Sequence, residues 1–196
     1  YNGPSEFHMY GGTITGNTAD STWSSYGNGG GVYVSWTAKF FMNGGKICGN
    51  TATCQGGGVY GSALARYNAY DTGGAAELNV SGSATVIDNT AGGKNNNVYM
   101  TSSTQKSGYE TLYVKLDISD PFSGIIGVST KDIPVTGKPV VAAAGVTPDV
   151  DYSNHIVSDD TQYKIRHEGN MLMLTTADEP NHQHTWDEGK ITKKPT

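Results

Sequence analysis

Apolar and polar residues alternate in three short stretches of this chain, and each stretch opens the same longer block. Phe7-His8-Met9-Tyr10 runs on into Gly11-Gly12-Thr13-Ile14-Thr15-Gly16-Asn17-Thr18-Ala19. Phe40-Phe41-Met42-Asn43 runs on into Gly44-Gly45-Lys46-Ile47-Cys48-Gly49-Asn50-Thr51-Ala52. A looser copy passes from Leu78 through Val80, Gly82, Val86, Asn89 and Thr90 to Ala91, with Ala84 as one inserted residue. Each is followed by a second block: Gly29-Gly30-Gly31-Val32-Tyr33-Val34, then Gly56-Gly57-Gly58-Val59-Tyr60, then Asn95-Asn96-Asn97-Val98-Tyr99-Met100. Alternation with period two, carried by aromatic and β-branched residues, predicts strands. Helix is excluded by the absence of apolar spacings of three and four and by the abundance of Gly, Asn, Thr and Ser. Glycine runs between the strands predict corners, where a residue without Cβ turns freely.

Two blocks in fixed order, recurring roughly 27 to 39 residues apart, mark a solenoid of stacked units. The predicted fold is all-β: a right-handed parallel β-helix with a C-terminal β cap, climbing about 4.8 Å per rung. Equivalent residues then sit above one another. Phe7, Phe40 and Leu78 form one buried apolar stack, Met9, Met42 and Val80 a second, and Ile14, Ile47 and Val86 a third. Asn17, Asn50 and Asn89 form an amide ladder at a corner, each side chain donating and accepting. Residues 1–110 are expected to be repeat rungs and 111–177 closing rungs and cap. In the latter, strands are predicted at Leu112–Ile118, Ile125–Val128, Pro139–Ala143, Tyr163–Arg166 and Met171–Leu174, with a turn at Pro121. The proline, charge and low hydrophobicity of residues 178–196 predict a linker to a following module.

The pattern F-x-M-x-G-G-x-I-x-G-N-T-A followed by G-G-G-V-Y resembles repeats in large cell-surface proteins of Gram-positive gut bacteria. It is similar, more distantly, to autotransporter-type adhesin repeats, and in architecture to pectate-lyase-like β-helices. The resemblance covers residues 7–100 strongly and extends to about 177 through segments such as Gly137-Lys138-Pro139-Val140-Val141 and Ser158-Asp159-Asp160. It implies a secreted or cell-wall-attached location and a role in adhesion or display. It is nearly silent about ligand, because fold does not imply function.

Composition narrows the partners. The net charge is −5 with no basic stripe, which argues against nucleic acid. No apolar run is long enough to insert in a membrane. Glycine, at 27 residues, is about twice the usual share of roughly 7%. The chain opens mid-pattern at Tyr1-Asn2-Gly3-Pro4 and is expected to be a piece of something longer. No cofactor or metal is expected, since Cys48 and Cys54 lack further ligands at suitable spacing, and His182 and His184 stand on a tail without acidic or thiol partners. Cys48 and Cys54 either form a local disulfide or, the preferred reading, Cys48 is an outward residue equivalent to Thr15.

Two functional readings follow. If Val32 and Val34 point inward, Tyr33, Tyr60 and Tyr99 form an outward column, with Trp23, Tyr26, Tyr67 and Tyr70 in inserted loops at 20–28 and 61–74, and Trp36 nearby. Such rings suit a glycan or a host surface protein, unless the column only covers its sheet. The alternative is a polysaccharide lyase or glycoside hydrolase. Hydrolysis needs two carboxyl groups held about 5 to 9.5 Å apart, and the candidates are Asp71, Glu77 and Asp88 beside Arg66. The outward positions of the repeat carry amides, hydroxyls and rings instead, so the non-catalytic reading is preferred.

Overall fold

The computed structural model of the chain describes residues 4–22, 26–64, 73–103 and 111–176. Every regular element among them is a strand, and most pair in parallel. The alternating stretches become Glu6–Met9, Lys39–Met42 and Glu77–Gly82. They lie in register, Phe7 on Phe40 on Leu78 and Met9 on Met42 on Val80. Lys115–Phe122 adds a fourth parallel strand, setting Leu116 beside Leu78 and Ile118 beside Val80.

A second sheet holds the other two columns. Ile14, Ile47 and Val86 align, and their column continues through Ile126 to Ile156. Val32, Val59 and Val98 align likewise, and continue to Val128. The strand Ile126–Thr130 therefore serves both columns, pairing with Thr85–Val86 through Ile126 and with Val98–Met100 through Val128. The sheet runs from Thr13–Thr15 to Val32–Val34, both from the first repeat, and curls until it nearly closes. Between the columns, each of the first three repeats extends an arm. Its strands Thr18–Ala19, Thr51–Ala52 and Thr90–Ala91 pair in parallel, and Lys94–Asn95 folds back antiparallel on the last. The far end is covered by Val140–Ala144, Met171–Thr176 and Tyr163–Glu168, paired antiparallel.

Like packs on like in the interior. Met42, Ile47, Ile126 and Ile156 are completely enclosed, and Phe40, Leu78, Val86 and Leu116 nearly so. Two residues expected in the core are not. Phe7 is 48% exposed and Ile14 only partly covered, although each is in register with its column. They belong to the outermost strands, with a neighbour on one side alone, so Phe7 covers Phe40 at a ring distance of 5.3 Å and is itself uncovered.

Local departures have local causes. The expected strand from Leu112 to Ile118 breaks at Val114, because Leu112–Tyr113 pairs antiparallel with Ser102–Ser103 while the chain beyond pairs with Glu77–Gly82. Pro121 makes no turn. It lies within Lys115–Phe122, where the register shifts by a bulge, a position that spares proline's missing N–H. The inserted residue of the third copy falls between Val80, opposite Met42, and Thr85, opposite Lys46, where Gly82 takes a φ of 56°. Cys48 sits beside Thr15, as the repeat predicts, and both cysteines are thiols. Among the described residues no helix is long and apolar enough to cross a membrane.

Ile47→Ala, at the enclosed centre of its column, should destabilise the protein by roughly 2–5 kcal/mol. Thr15→Ala, exposed on an outer strand, should stay within about 0.5 kcal/mol. Urea melts of the two variants check this; equal midpoints would mean the inward and outward faces are exchanged.

Candidate functional site

The columns are held in register by a chain of side-chain amides. The Asn50 Oδ1 accepts hydrogen bonds from both the backbone N–H and the Nδ2 of Asn17, each at 3.0 Å. The Asn89 Oδ1 accepts the same pair from Asn50 at 3.0 and 2.9 Å. The Asn50 Nδ2 also donates to the Ile14 carbonyl, and the Asn89 Nδ2 to the Ile47 carbonyl, both at 2.9 Å. The ladder then leaves the first block. Asn89 donates to the Oδ1 of Asn97, and Asn97 donates from its backbone N–H and its amide to the carboxylate of Asp159. The Ser129 hydroxyl donates to the same carboxylate at 3.0 Å. Burial outweighs these donors and pushes the Asp159 carboxyl above its ordinary value.

The glycine triplets follow from this packing. A Cβ on Gly57 would lie 2.3 Å from the Thr90 carbonyl oxygen, against the arm of the next repeat. A Cβ on Gly58 would lie 2.8 Å from the Asn89 Nδ2. In the third copy the corresponding residues are Asn96 and Asn97, because no arm follows below. Asn97 fills the ladder position itself, and Asn96 reaches back to Gln55 and to the Gly56 N–H.

This register places Tyr33 on Tyr60 on Tyr99. Their rings stack at 5.1 and 5.9 Å, with planes 27° and 8° apart. The inner ring faces are spent on one another, so the column turns edges and hydroxyls outward. Burial, then the neighbouring phenols Tyr33 and Tyr99, push the Tyr60 hydroxyl up to about 12, and burial also raises Tyr99. Below Tyr99 the next residue in register is Ser129, and the column stops.

A polar cleft of about 690 Å³ opens at that point, with Tyr99 and Ser129 on its wall. Asn95 and Asn96 of the last arm line one side; Lys131, Asp160 and Gln162 line the other. It exists because the fourth repeat lacks both the arm and the tyrosine. A second, mostly apolar cleft of about 570 Å³ lies beside Lys115–Phe122 and Val140–Ala144, whose sheet pairing is confined to Asp117 and Ala144.

The remaining sequence candidates are not brought together. Tyr26 is exposed on its loop. Trp36, at a φ of 59°, packs its indole over Gly74. Glu77 pairs with Lys39 at 2.9 Å in the first sheet, whereas Asp88 lies exposed at the corner after Val86, in the left-handed conformation of its counterparts Gly16 and Gly49. Trp23, Arg66, Tyr67, Tyr70 and Asp71 lie outside the described residues. No group of three His, Cys, Asp or Glu among the described residues could hold a metal. Asp159 is the residue that sequence reading missed. Ile156-Val157-Ser158-Asp159 is a further copy of Ile47-Cys48-Gly49-Asn50 with carboxylate for amide, a signal present once Ile156 is aligned with Ile126.

Asp159→Asn should complete the amide ladder without loss of fold. A raised carboxyl pKa means the folded chain holds a proton that the unfolded chain releases. The stability it contributes is present below the ordinary carboxyl value and is lost as pH rises through the folded value. Denaturation measured from pH 4 upward should therefore show the variant gaining on the wild type as pH rises, then levelling. A constant difference would exclude a buried, proton-retaining Asp159. Tyrosinate absorbance provides a parallel check: Tyr60→Phe should remove signal only near pH 12, not near pH 10.

No protein-family model matches the chain, and no curated protein or solved structure is significantly similar to it.

Proposed function

We propose that the repeats wind as a right-handed parallel β-helix, and that this helix is a non-catalytic segment of a secreted or wall-attached bacterial surface protein. Its role is adhesion or ligand display, with a glycan as the first ligand and a host surface protein as the second. In this reading residues 1–110 are repeat rungs, 111–177 closing rungs and cap, and 178–196 a linker. The hand rests on the strong preference of parallel crossovers. The observation that carries the functional reading is the in-register column of Tyr33, Tyr60 and Tyr99 leading into a cleft lined with amides and hydroxyls. Binding needs only such surface, whereas catalysis needs titratable groups held at fixed separation. Of the carboxylates expected for an enzyme, Glu77 lies on a strand of the first sheet and is engaged by Lys39, whereas Asp88 lies at the corner after Val86.

A glycan array probed with the protein, followed by assays for reducing ends and unsaturated products on every hit, separates the classes. The expected result is binding to one or more glycans without product. Product formation abolished by Glu77→Gln would establish the enzyme instead. A blank array would remove the glycan and leave display.

A further inference from the structure

The tyrosine column ends one ring short of the sheet it runs along. Tyr33, Tyr60, Tyr99 and Ser129 occupy equivalent positions on four successive parallel strands, but only the first three carry rings. The Tyr99 face turned away from Tyr60 therefore looks over a serine, into the polar cleft. We propose that this vacated ring position is a subsite for one neutral hexopyranose residue of a glycan, stacked on Tyr99 where a fourth aromatic ring would otherwise sit. The inference rests on the glycan reading above and adds the place and the chemical class.

The shape fits a sugar. Column spacing of 5 to 6 Å is that of stacked six-membered rings, and the cleft's volume of about 690 Å³ is within the range of ligand pockets. A pyranose presents polarised C–H groups on one face, which meet the negative face of the phenol ring. Its rim of hydroxyls both donates and accepts, matching the side-chain amides of Asn95 and Gln162, which do the same.

The cleft carries no built site for an acidic sugar. The titratable groups around the cleft, apart from Tyr99 and Tyr163, are Lys94, Lys131, Asp159, Asp160 and the thiol of Cys54. The Lys131 Nζ donates to the Ser102 carbonyl at 2.8 Å, and Asp159 is held by Asn97 and Ser129. Asp160 accepts the Gln162 N–H at 2.9 Å. Lys131 and Asp160 are thus engaged within the chain, Asp159 is half-buried at the back, and no arginine among the lining residues offers the fork of donors that a carboxylate or sulfate favours.

The test uses saturation-transfer NMR on the whole chain with methyl glycosides of glucose, galactose, mannose and N-acetylglucosamine, and with methyl galacturonide as the anionic probe. Ser129→Tyr is the informative variant, since it supplies the missing ring and blocks the subsite while leaving the column intact; circular dichroism and the melting temperature verify its fold. At least one neutral glycoside should bind, Ser129→Tyr should weaken it at least tenfold, and Tyr10→Ala, an exposed ring at the opposite end, should leave it within twofold. Undiminished binding in Ser129→Tyr would overturn the subsite, as would loss in Tyr10→Ala or a preference for the galacturonide. Array hits with no response to any neutral glycoside would overturn the subsite while sparing the glycan reading, and a blank array would remove that reading itself.

Discussion

Everything in this structure depends on a side-chain amide accepting two hydrogen bonds from the residue one layer above. Asn17, Asn50, Asn89 and Asn97 hand this contact along until it ends on Asp159. Asn50 and Asn89 are almost wholly buried, so a broken link would strand polar groups without water, at about 1–3 kcal/mol each. The ladder therefore penalises any slip of one repeat against the next, and a slip of one residue would turn every inward side chain outward. Apolar columns alone would tolerate such errors better, since Phe, Leu, Met and Val interchange within them.

Register has a consequence at the surface. A repeat that is strictly copied produces a flat wall with its rings stacked and its faces covered. Features appear only where copying fails. The fourth repeat passes from Ile126 to Thr130 as one strand, without the Asn-Thr-Ala arm and with Ser129 in place of tyrosine. The arm above is left overhanging, the last ring is left uncovered, and the ladder needs a new terminus. Asn97 and Asp159 meet that need, and the cleft forms between them and solvent. The Asp159 carboxyl is thus a structural end-piece at the back of a candidate site.

Much of this was legible in the residues. Period-two alternation located the strands, and the recurrence of Phe/Leu, Met/Val, Ile/Val and Asn gave the columns and the ladder with correct partners. The tyrosine column followed from the same register. Burial of Phe7 and Ile14 was overestimated because a repeat pattern assigns every copy the same environment, while an outermost strand has one neighbour. The break at Val114 was hidden because hydrophobic alternation does not say which strand a segment pairs with. Pro121 reads locally as a turn, and only the opposing strand reveals a bulge. Asp159 escaped because its copy keeps just Ile156 and an acidic variant of the asparagine. The cleft was illegible for a plainer reason: it is made by residues that are missing from the pattern. The loop residues Trp23, Tyr67 and Tyr70, and the pair Arg66 and Asp71, remain expectations of the sequence alone.

Hydrogen exchange of side-chain amides tests the central claim most directly. Exposed asparagine NH₂ groups exchange quickly, and so should that of Asn154, which lies at the surface. The NH₂ groups of Asn50 and Asn89, each donating to a carbonyl and to the next side chain, should exchange only with opening of the whole stack, as slowly as the backbone N–H of Ile47. Exchange of Asn50 and Asn89 at the rate of Asn154 would mean that the amide ladder does not hold the repeats in register.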